Sequence, residues 1–315
     1  MTPAALAVCL ALSAVALSAA AGSVFVALIE YAMRRFPLTG LGARARASLL
    51  MQARLAPLTL TLVLVPLVQL AFWKFEPPHV TETTGLALPL LALSGALVLG
   101  VVARRGWQSV RATMRVARAW RRAGEPSQIP GWQGRAWIVQ TGFPVVAVVG
   151  VGRAELYMSA DVVRACSPEE IAAIAAHERA HVVGRDNLTR VLFAIAPATG
   201  RAAASLERAW AATAEEIADL HARAAGDGVT LAQALTKVAR LAAGTAVAPP
   251  LAMSAFIGGD NLEGRVRRLL EPAQAAGPAL RGLPIAVVAP AAIAAVIWGL
   301  PAIYQAAEVL VKLGR

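Results

Sequence analysis

The sequence predicts a mainly helical integral membrane protein, with about four transmembrane helices and an α+β domain between the third and the fourth. Three observations carry this. Four apolar runs, at about residues 3–33, 55–73, 86–103 and 283–306, approach or exceed the roughly 20 residues that cross the hydrocarbon core as a helix. Arginines gather at particular ends of these runs rather than being spread evenly. The long interval between the third and fourth runs holds the most specific motif of the chain, His177-Glu178-Arg179-Ala180-His181. With 57% hydrophobic and 16% charged residues, the chain does not have the composition of an ordinary soluble protein.

Residues 1–103 read as a membrane region of three helices. The start Met1-Thr2-Pro3 carries no basic side chain and the apolar run after it is long, so a retained anchor is expected rather than a cleaved signal peptide. Arg34, Arg35, Arg44, Arg46 and Arg54 follow the first run, and Arg104, Arg105, Arg111, Arg115, Arg118, Arg121 and Arg122 follow the third. Only Lys74, Glu76 and Glu82 lie between the second and third. The positive-inside rule then puts the N-terminus outside and the motif in the cytoplasm. The expected location is the plasma membrane, the inner membrane of a prokaryote. The net charge of +11 is explained by these membrane flanks, so no nucleic-acid partner is expected, and the bilayer is the partner of the basic segments. Cys9 and Cys166 are far apart and are expected to stay unpaired.

Residues 104–134 read as a basic juxtamembrane helix and a linker. Trp107, Val110, Met114 and Ala117 recur at helical spacing, and residues 123–134 are punctuated by Pro and Gly. Within 135–282, three short β-branched stretches at 136–140, 145–149 and 155–158 favour strands. An edge strand beside the motif helix could accept a substrate backbone by strand addition. Residues 188–206 are apolar but broken by Pro197 and Gly200, and 229–243 look helical. Residues 283–315 would form the last transmembrane helix and a short tail.

His-Glu-x-x-His sets two imidazoles one helical turn apart on one face, which can hold Zn²⁺. Glu178 lies too far round the helix to ligate comfortably and can instead take a proton from water at the metal. The flanks predict a helix: Ser167 as N-cap, Pro168 in the first position, Glu170 completing a capping box, and Ile171, Ile174 and Ala175 as the apolar stripe. Two histidines leave the metal in need of a third protein ligand. The segment Ala214-Glu215-Glu216-Ile217-Ala218-Asp219-Leu220-His221 offers Glu215, Glu216 and His221 by residue type. Glu215 and Asp219, four apart, share a helix face, so one could ligate while Asp219 fixes a histidine tautomer.

The run SPEEIAAIAAHERAHVVGRDNL, followed by EEIAD, resembles the membrane metallopeptidases of the BlaR/MecR antirepressor type and, more distantly, the HtpX and CAAX-protease type. Both groups carry His-Glu-x-x-His and then a glutamate ligand in a Glu-x-x-x-Asp element. The resemblance therefore implies Zn²⁺ held by His177, His181 and Glu215, with Asp219 behind a histidine and Glu178 as the catalytic base, in a zincin-like domain. GVGRAELYMSADVV resembles the strand segment before the zinc helix, and NLEGRVRRLL resembles a closing element that lands on Arg265, with an electrostatic or structural role. The resemblance covers roughly 135–272. The antirepressor receptors continue into an extracellular sensor domain, whereas the given sequence ends at Arg315, so sensing is expected to need a partner.

These observations lead to the expectation of a membrane-embedded zinc endopeptidase acting on cytoplasmic or membrane proteins. The rival expectations are a signalling component that cleaves a repressor on the cue of a regulatory or sensor partner, and a catalytically silent scaffold.

Overall fold

The structure is a computed structural model that describes residues 1–76, 83–242, 253–255, 262–271 and 285–313. The chain begins with three helices, α1 (Pro3–Arg35), α2 (Ala43–Phe75) and α3 (Ala87–Ala123), each long and apolar enough to cross a membrane. By length and composition they mark a membrane protein. Thr2 caps α1, and Pro3 takes a first-turn position where its missing N–H costs nothing. α2 carries Pro57 and Pro66 in its interior, a composition that neighbouring helices can accommodate in a bilayer. The three helices pack at very close range. A Cβ on Gly95 would fall 1.8 Å from the Leu12 carbonyl oxygen of α1, and one on Gly22 would fall 2.4 Å from Pro57 Cβ of α2. Small residues at such crossings let the backbones meet where lipid offers no hydrophobic drive.

Two expectations for the next segment change. α3 runs unbroken to Ala123, so the boundary expected after 103 falls inside one helix; good helix formers continue to Gly124. The expected stripe divides. Trp107 and Met114 are exposed, while Val116, Ala117 and Trp120 pack on Val139, Val145 and Tyr157. The expected linker also contains a strand, β1 (Gly124–Ser127). With β2 (Ala136–Val139), β3 (Val146–Val149), β4 (Glu155–Ser159) and, much later, β5 (Met253–Ala255), it forms a sheet of order β1-β2-β4-β3-β5. All neighbours are antiparallel except β2 and β4.

A short helix α4 (Ala160–Ala165) leads into α5 (Pro168–Gly184), α6 (Asp186–Ile195), α7 (Arg201–Ala225) and α8 (Gly228–Ala242). The break between α6 and α7 contains the Pro197 and Gly200 noted in the sequence. α9 (Leu262–Leu270) and α10 (Ile285–Lys312) close the chain. One face of the sheet, through Val146, Val148, Leu156 and Met158, packs on Ile171, Ile174 and Ala175 of α5 and Leu231, Leu235 and Val238 of α8. The other face receives the end of α3, so β3 and β4 are buried on both sides; β3 reads as a continuous apolar run, while β4 carries the buried Glu155 and Ser159 at its ends.

Helices α6 and α7 dock on the first two helices through a second core. Val26 of α1 and Leu50 of α2 meet Phe193 of α6 and Leu206, Trp210 and Ala214 of α7. Arg54, expected at a membrane flank, lies inside α2 with no exposed surface. Its Nε donates to Glu207 Oε1 at 2.7 Å and its Nη2 to the Phe193 carbonyl at 2.9 Å. Arg46 of α2 pairs with Glu216 of α7. At the opposite end, Leu6 and Leu10 of α1 pack with Phe72, Leu88 and Val311, which places the end of α10 beside the start of α1. Residues 77–82, on which the charge argument for orientation draws, lie outside the described residues, as does the start of the expected fourth run.

Candidate metal centre

Local sequence builds α5 as expected. Ser167 Oγ accepts from the Glu170 N–H at 3.3 Å, and Glu170 Oε2 accepts from the Ser167 N–H at 2.7 Å. Lys237 of α8 holds the same Glu170 oxygen at 2.7 Å, tying the capping box to the core. The apolar stripe seats the helix on the sheet, so His177 and His181, one turn apart, emerge together toward α7. The helix ends at Arg185, which adopts the left-handed conformation (φ 55°, ψ 37°) rare for a residue with a side chain. That turn starts α6 at once, and the next residue, Asp186, swings back onto the helix it has just left.

α7 supplies the opposite wall. Its buried stripe of Leu206, Trp210, Ala214 and Ala218 fixes its rotation and turns Glu215 and Asp219 toward α5. His177 Nε2 lies 3.2 Å from His181 Nε2 and 3.4 Å from Glu215 Oε2, and His181 Nε2 lies 3.5 Å from Glu215 Oε1. These three residues are the group that can hold a metal ion among the described residues. Glu216 points away to Arg46, and His221 is not part of the group. The structure therefore brings the sequence-predicted triad together.

The other nitrogen of each imidazole faces a carboxylate. His177 Nδ1 is 3.1 Å from Asp219 Oδ1, and His181 Nδ1 is 2.6 Å from Asp186 Oδ2. A carboxylate accepts only, so Asp219 and Asp186 can hold a proton on each Nδ1, which leaves each Nε2 with a lone pair for a cation once the imidazole is neutral. Two lone pairs 3.2 Å apart do not form a hydrogen bond with each other. They are the arrangement of two donors to one cation. Ligand bonds of 2.0–2.1 Å in a tetrahedron require ligand atoms about 3.3 Å apart. The separation of the two imidazole nitrogens is close to that edge, and Glu215 meets them with a different carboxylate oxygen on each side.

Charge points the same way. Glu178, Asp186, Glu215 and Asp219 are all buried, and the buried cation beside them is Arg265 of α9. Arg265 donates Nε to Asp219 Oδ2 at 2.9 Å and Nη2 to Asp219 Oδ1 at 2.7 Å, and its Nη1 lies 3.1 Å from Glu215 Oε2. Burial opposes ionisation of Glu215, yet His181, His177 and Arg265 outweigh it and hold the carboxyl down to about 2. Burial likewise opposes the charge on Asp219, but His177 and Arg265 bring its pKa below the usual range. For Arg265, burial is overcome by Asp219, Glu215 and Glu178, and the guanidinium is held charged more firmly than usual. One guanidinium does not balance four carboxylates; the remainder is met by protons on His177 and His181 or by a divalent cation in their place.

Sequence reasoning missed Asp186. It stands five residues after His181, off the face of the helix, and only the turn at Arg185 brings it within reach. It also missed the side chain of Asn187, whose Nδ2 donates at 3.0 Å to the carbonyls of both Val148 and Gly150 and so ties α6 to β3. The strand beside α5 is β3, and it is an interior strand of the sheet rather than the edge strand expected there. It bonds to β4 on one edge and to β5 on the other.

Residues 147–248, about a third of the chain, match the family model for peptidase family M48. The matched segment contains His177, Glu178, His181, Glu215 and Asp219, and Arg265 lies beyond it. The match supports a metallopeptidase. No curated protein matches the chain.

Proposed function

We propose that the protein is a membrane-embedded zinc endopeptidase that cleaves cytoplasmic or membrane proteins. The observation that carries this is the convergence of His177, His181 and Glu215, with each imidazole backed by a carboxylate on its other nitrogen. The match to a peptidase family over the same residues supports it independently. Two nitrogens and one carboxylate oxygen are a donor set suited to Zn²⁺, with one coordination position left open. Zinc bound there supplies a water of lowered pKa and a Lewis acid for the scissile carbonyl.

The protein's own residues do the rest. Glu178, next to His177 in sequence and fully buried, takes the proton from the attacking water and carries it to the departing amide nitrogen. Asp219 and Asp186 fix the proton on each Nδ1 and so keep each Nε2 free to ligate. Arg265 orients Asp219 with two hydrogen bonds and limits the repulsion between Asp219 and Glu215. Its role is positioning. The catalytic half sits at the end of the bundle that carries Arg34, Arg35, Arg44 and Arg46, which by the positive-inside rule is the cytoplasmic end.

A second, narrower reading is regulated cleavage of a repressor on a membrane partner's cue. α2 grips α7 at Arg46–Glu216 and Arg54–Glu207, so a displacement of α2 would reach Glu215 directly. The deciding experiment is metal analysis and digestion of a labelled unfolded protein by the purified enzyme. Wild type should carry about one zinc per chain and cut, whereas Glu178→Ala should keep the zinc and lose turnover. Zinc retained in a His177→Ala/His181→Ala variant would sink the assignment, and zinc-loaded wild type without cleavage would favour the silent scaffold.

A further inference from the structure

We infer that an anionic phospholipid from the bilayer occupies a groove between α1 and α2, with its acyl chain along the groove and its headgroup at Arg35 and Arg44. The groove has a volume of about 1200 Å³ and is almost entirely apolar, with Phe25, Ile29, Met33, Leu55 and Leu60 among its walls. Its α1 wall runs from Ala21 to Phe36, roughly 22 Å at 1.5 Å per residue. That exceeds the roughly 15 Å of hydrocarbon in one leaflet, so a single chain can lie in it from headgroup to midplane. Both walls belong to helices long and apolar enough to cross a membrane, so the medium beside the groove is lipid.

Charge selects the occupant. The groove ends at Phe36 and Leu38; exposed Arg35 directly precedes Phe36, and exposed Arg44 opens α2 after the same turn, both outside the groove wall. Neighbouring arginines are engaged elsewhere, Arg34 with Glu30 and Arg46 with Glu216, but Arg35 and Arg44 have no ion-pair partner among the described residues. Two unneutralised guanidinium groups at the open end of an apolar groove complement a phosphate headgroup. A second copy of this chain placed there by two-fold symmetry would bring the same arginines to the same level and meet repulsion. An uncharged apolar helix would leave them unanswered.

The groove has a route to the metal centre. Met51 lines both this groove and a smaller cavity of about 180 Å³ bordered by Ala180, Gly184 and Asp186. A lipid seated against Met51 therefore sits one side chain away from the space behind the His181–Asp186 pair. The lipid site itself stands whether or not the chain is a peptidase.

The test is native mass spectrometry of the purified, full-length protein in detergent with equimolar dioleoylphosphatidylglycerol and dioleoylphosphatidylcholine. The phosphatidylglycerol adduct should dominate. Arg35→Gln/Arg44→Gln should cut that preference by about 25-fold, at roughly 5-fold per arginine near the headgroups. Thr59→Trp, which fills the groove from an exposed wall position, should remove the adduct of either lipid, and Ala56→Phe does the same should the first variant fail to fold. Zinc content and melting temperature check folding independently of lipid. Equal binding of the two lipids by wild type, or full phosphatidylglycerol binding by a folded groove-filled variant, overturns the proposal. So does a dimer that replaces the lipid adduct.

Discussion

Arg265 and Asp219 form a buried two-point ion pair beside His177 and Glu215, with donor distances of 2.9 and 2.7 Å. The same carboxylate faces His177 Nδ1 at 3.1 Å, so α9, α7 and α5 meet through one aspartate. Removing one partner of a buried pair strands the other. Arg265→Ala should destabilise the protein by about 3–5 kcal/mol. Arg265→Lys should not restore it, because an ammonium lacks the planar fork that engages both oxygens. Chemical denaturation of zinc-loaded samples checks this, and a lysine variant as stable as wild type would contradict the two-point geometry.

Each histidine has its own carboxylate, and the two should behave alike. Asp219→Asn and Asp186→Asn should each weaken zinc binding about 10–100-fold, since either loses control of an Nδ1 proton. Glu215→Ala should weaken it further, while Glu216→Ala and His221→Ala should bind normally. Competition with a chromogenic chelator measures all five. An unaffected Asp186→Asn would show that His181 needs no partner.

The two contacts between α2 and α7 differ in burial and should differ in strength. Arg46–Glu216 is partly exposed and is expected to contribute no more than about 1 kcal/mol. Glu207→Ala leaves Arg54 buried without its carboxylate and should cost about 3–5 kcal/mol. Double-mutant cycles in the zinc-loaded protein separate the two pairs; equal coupling energies would refute the distinction.

Acid should unfold the metal-free protein through Glu215. Its carboxyl lies near 4.5 when unperturbed and about 2 in the folded chain. A depressed folded-state value means the unfolded chain takes up the proton first. The stabilisation is therefore complete above about 4.5 and is lost as pH falls toward about 2. In Glu215→Gln that part of the slope should vanish. A stability–pH curve of identical slope in the two proteins over this window would contradict it.

Orientation is open to cysteine labelling in a Cys9→Ser/Cys166→Ser background. Thr2 and Leu313 lie toward one end of the bundle, and Gly152 lies in the exposed turn between β3 and β4. A membrane-impermeant reagent applied to intact cells should reach cysteines at 2 and 313 and spare one at 152. Labelling at 152 would place the metal centre outside.

The helix α5 was legible from sequence because everything that makes it is local: an N-cap, a first-turn proline, a capping box and an apolar stripe, all within 18 residues from Ser167 to Gly184. The first three apolar runs were legible for the same reason, since length and composition set membrane crossing. β2, β3 and β4 were visible as short β-branched runs. Tertiary structure decided the rest. β1 is a Pro- and Gly-containing segment that becomes a strand only because β2 is there to pair with it. Glu215, Glu216 and His221 are equivalent candidates by chemistry, and the rotation of α7, set by its packing on α1 and α2, chooses among them. Arg54 reads as a membrane-flank charge until Glu207, 153 positions away, is brought to it. Asp186 reaches His181 only through a backbone turn that residue type does not announce. Sequence determined the chemistry available and the local helices that present it. Which carboxylate faces which nitrogen depended on long-range packing, because orientation about a helix axis is fixed by the neighbours a helix buries.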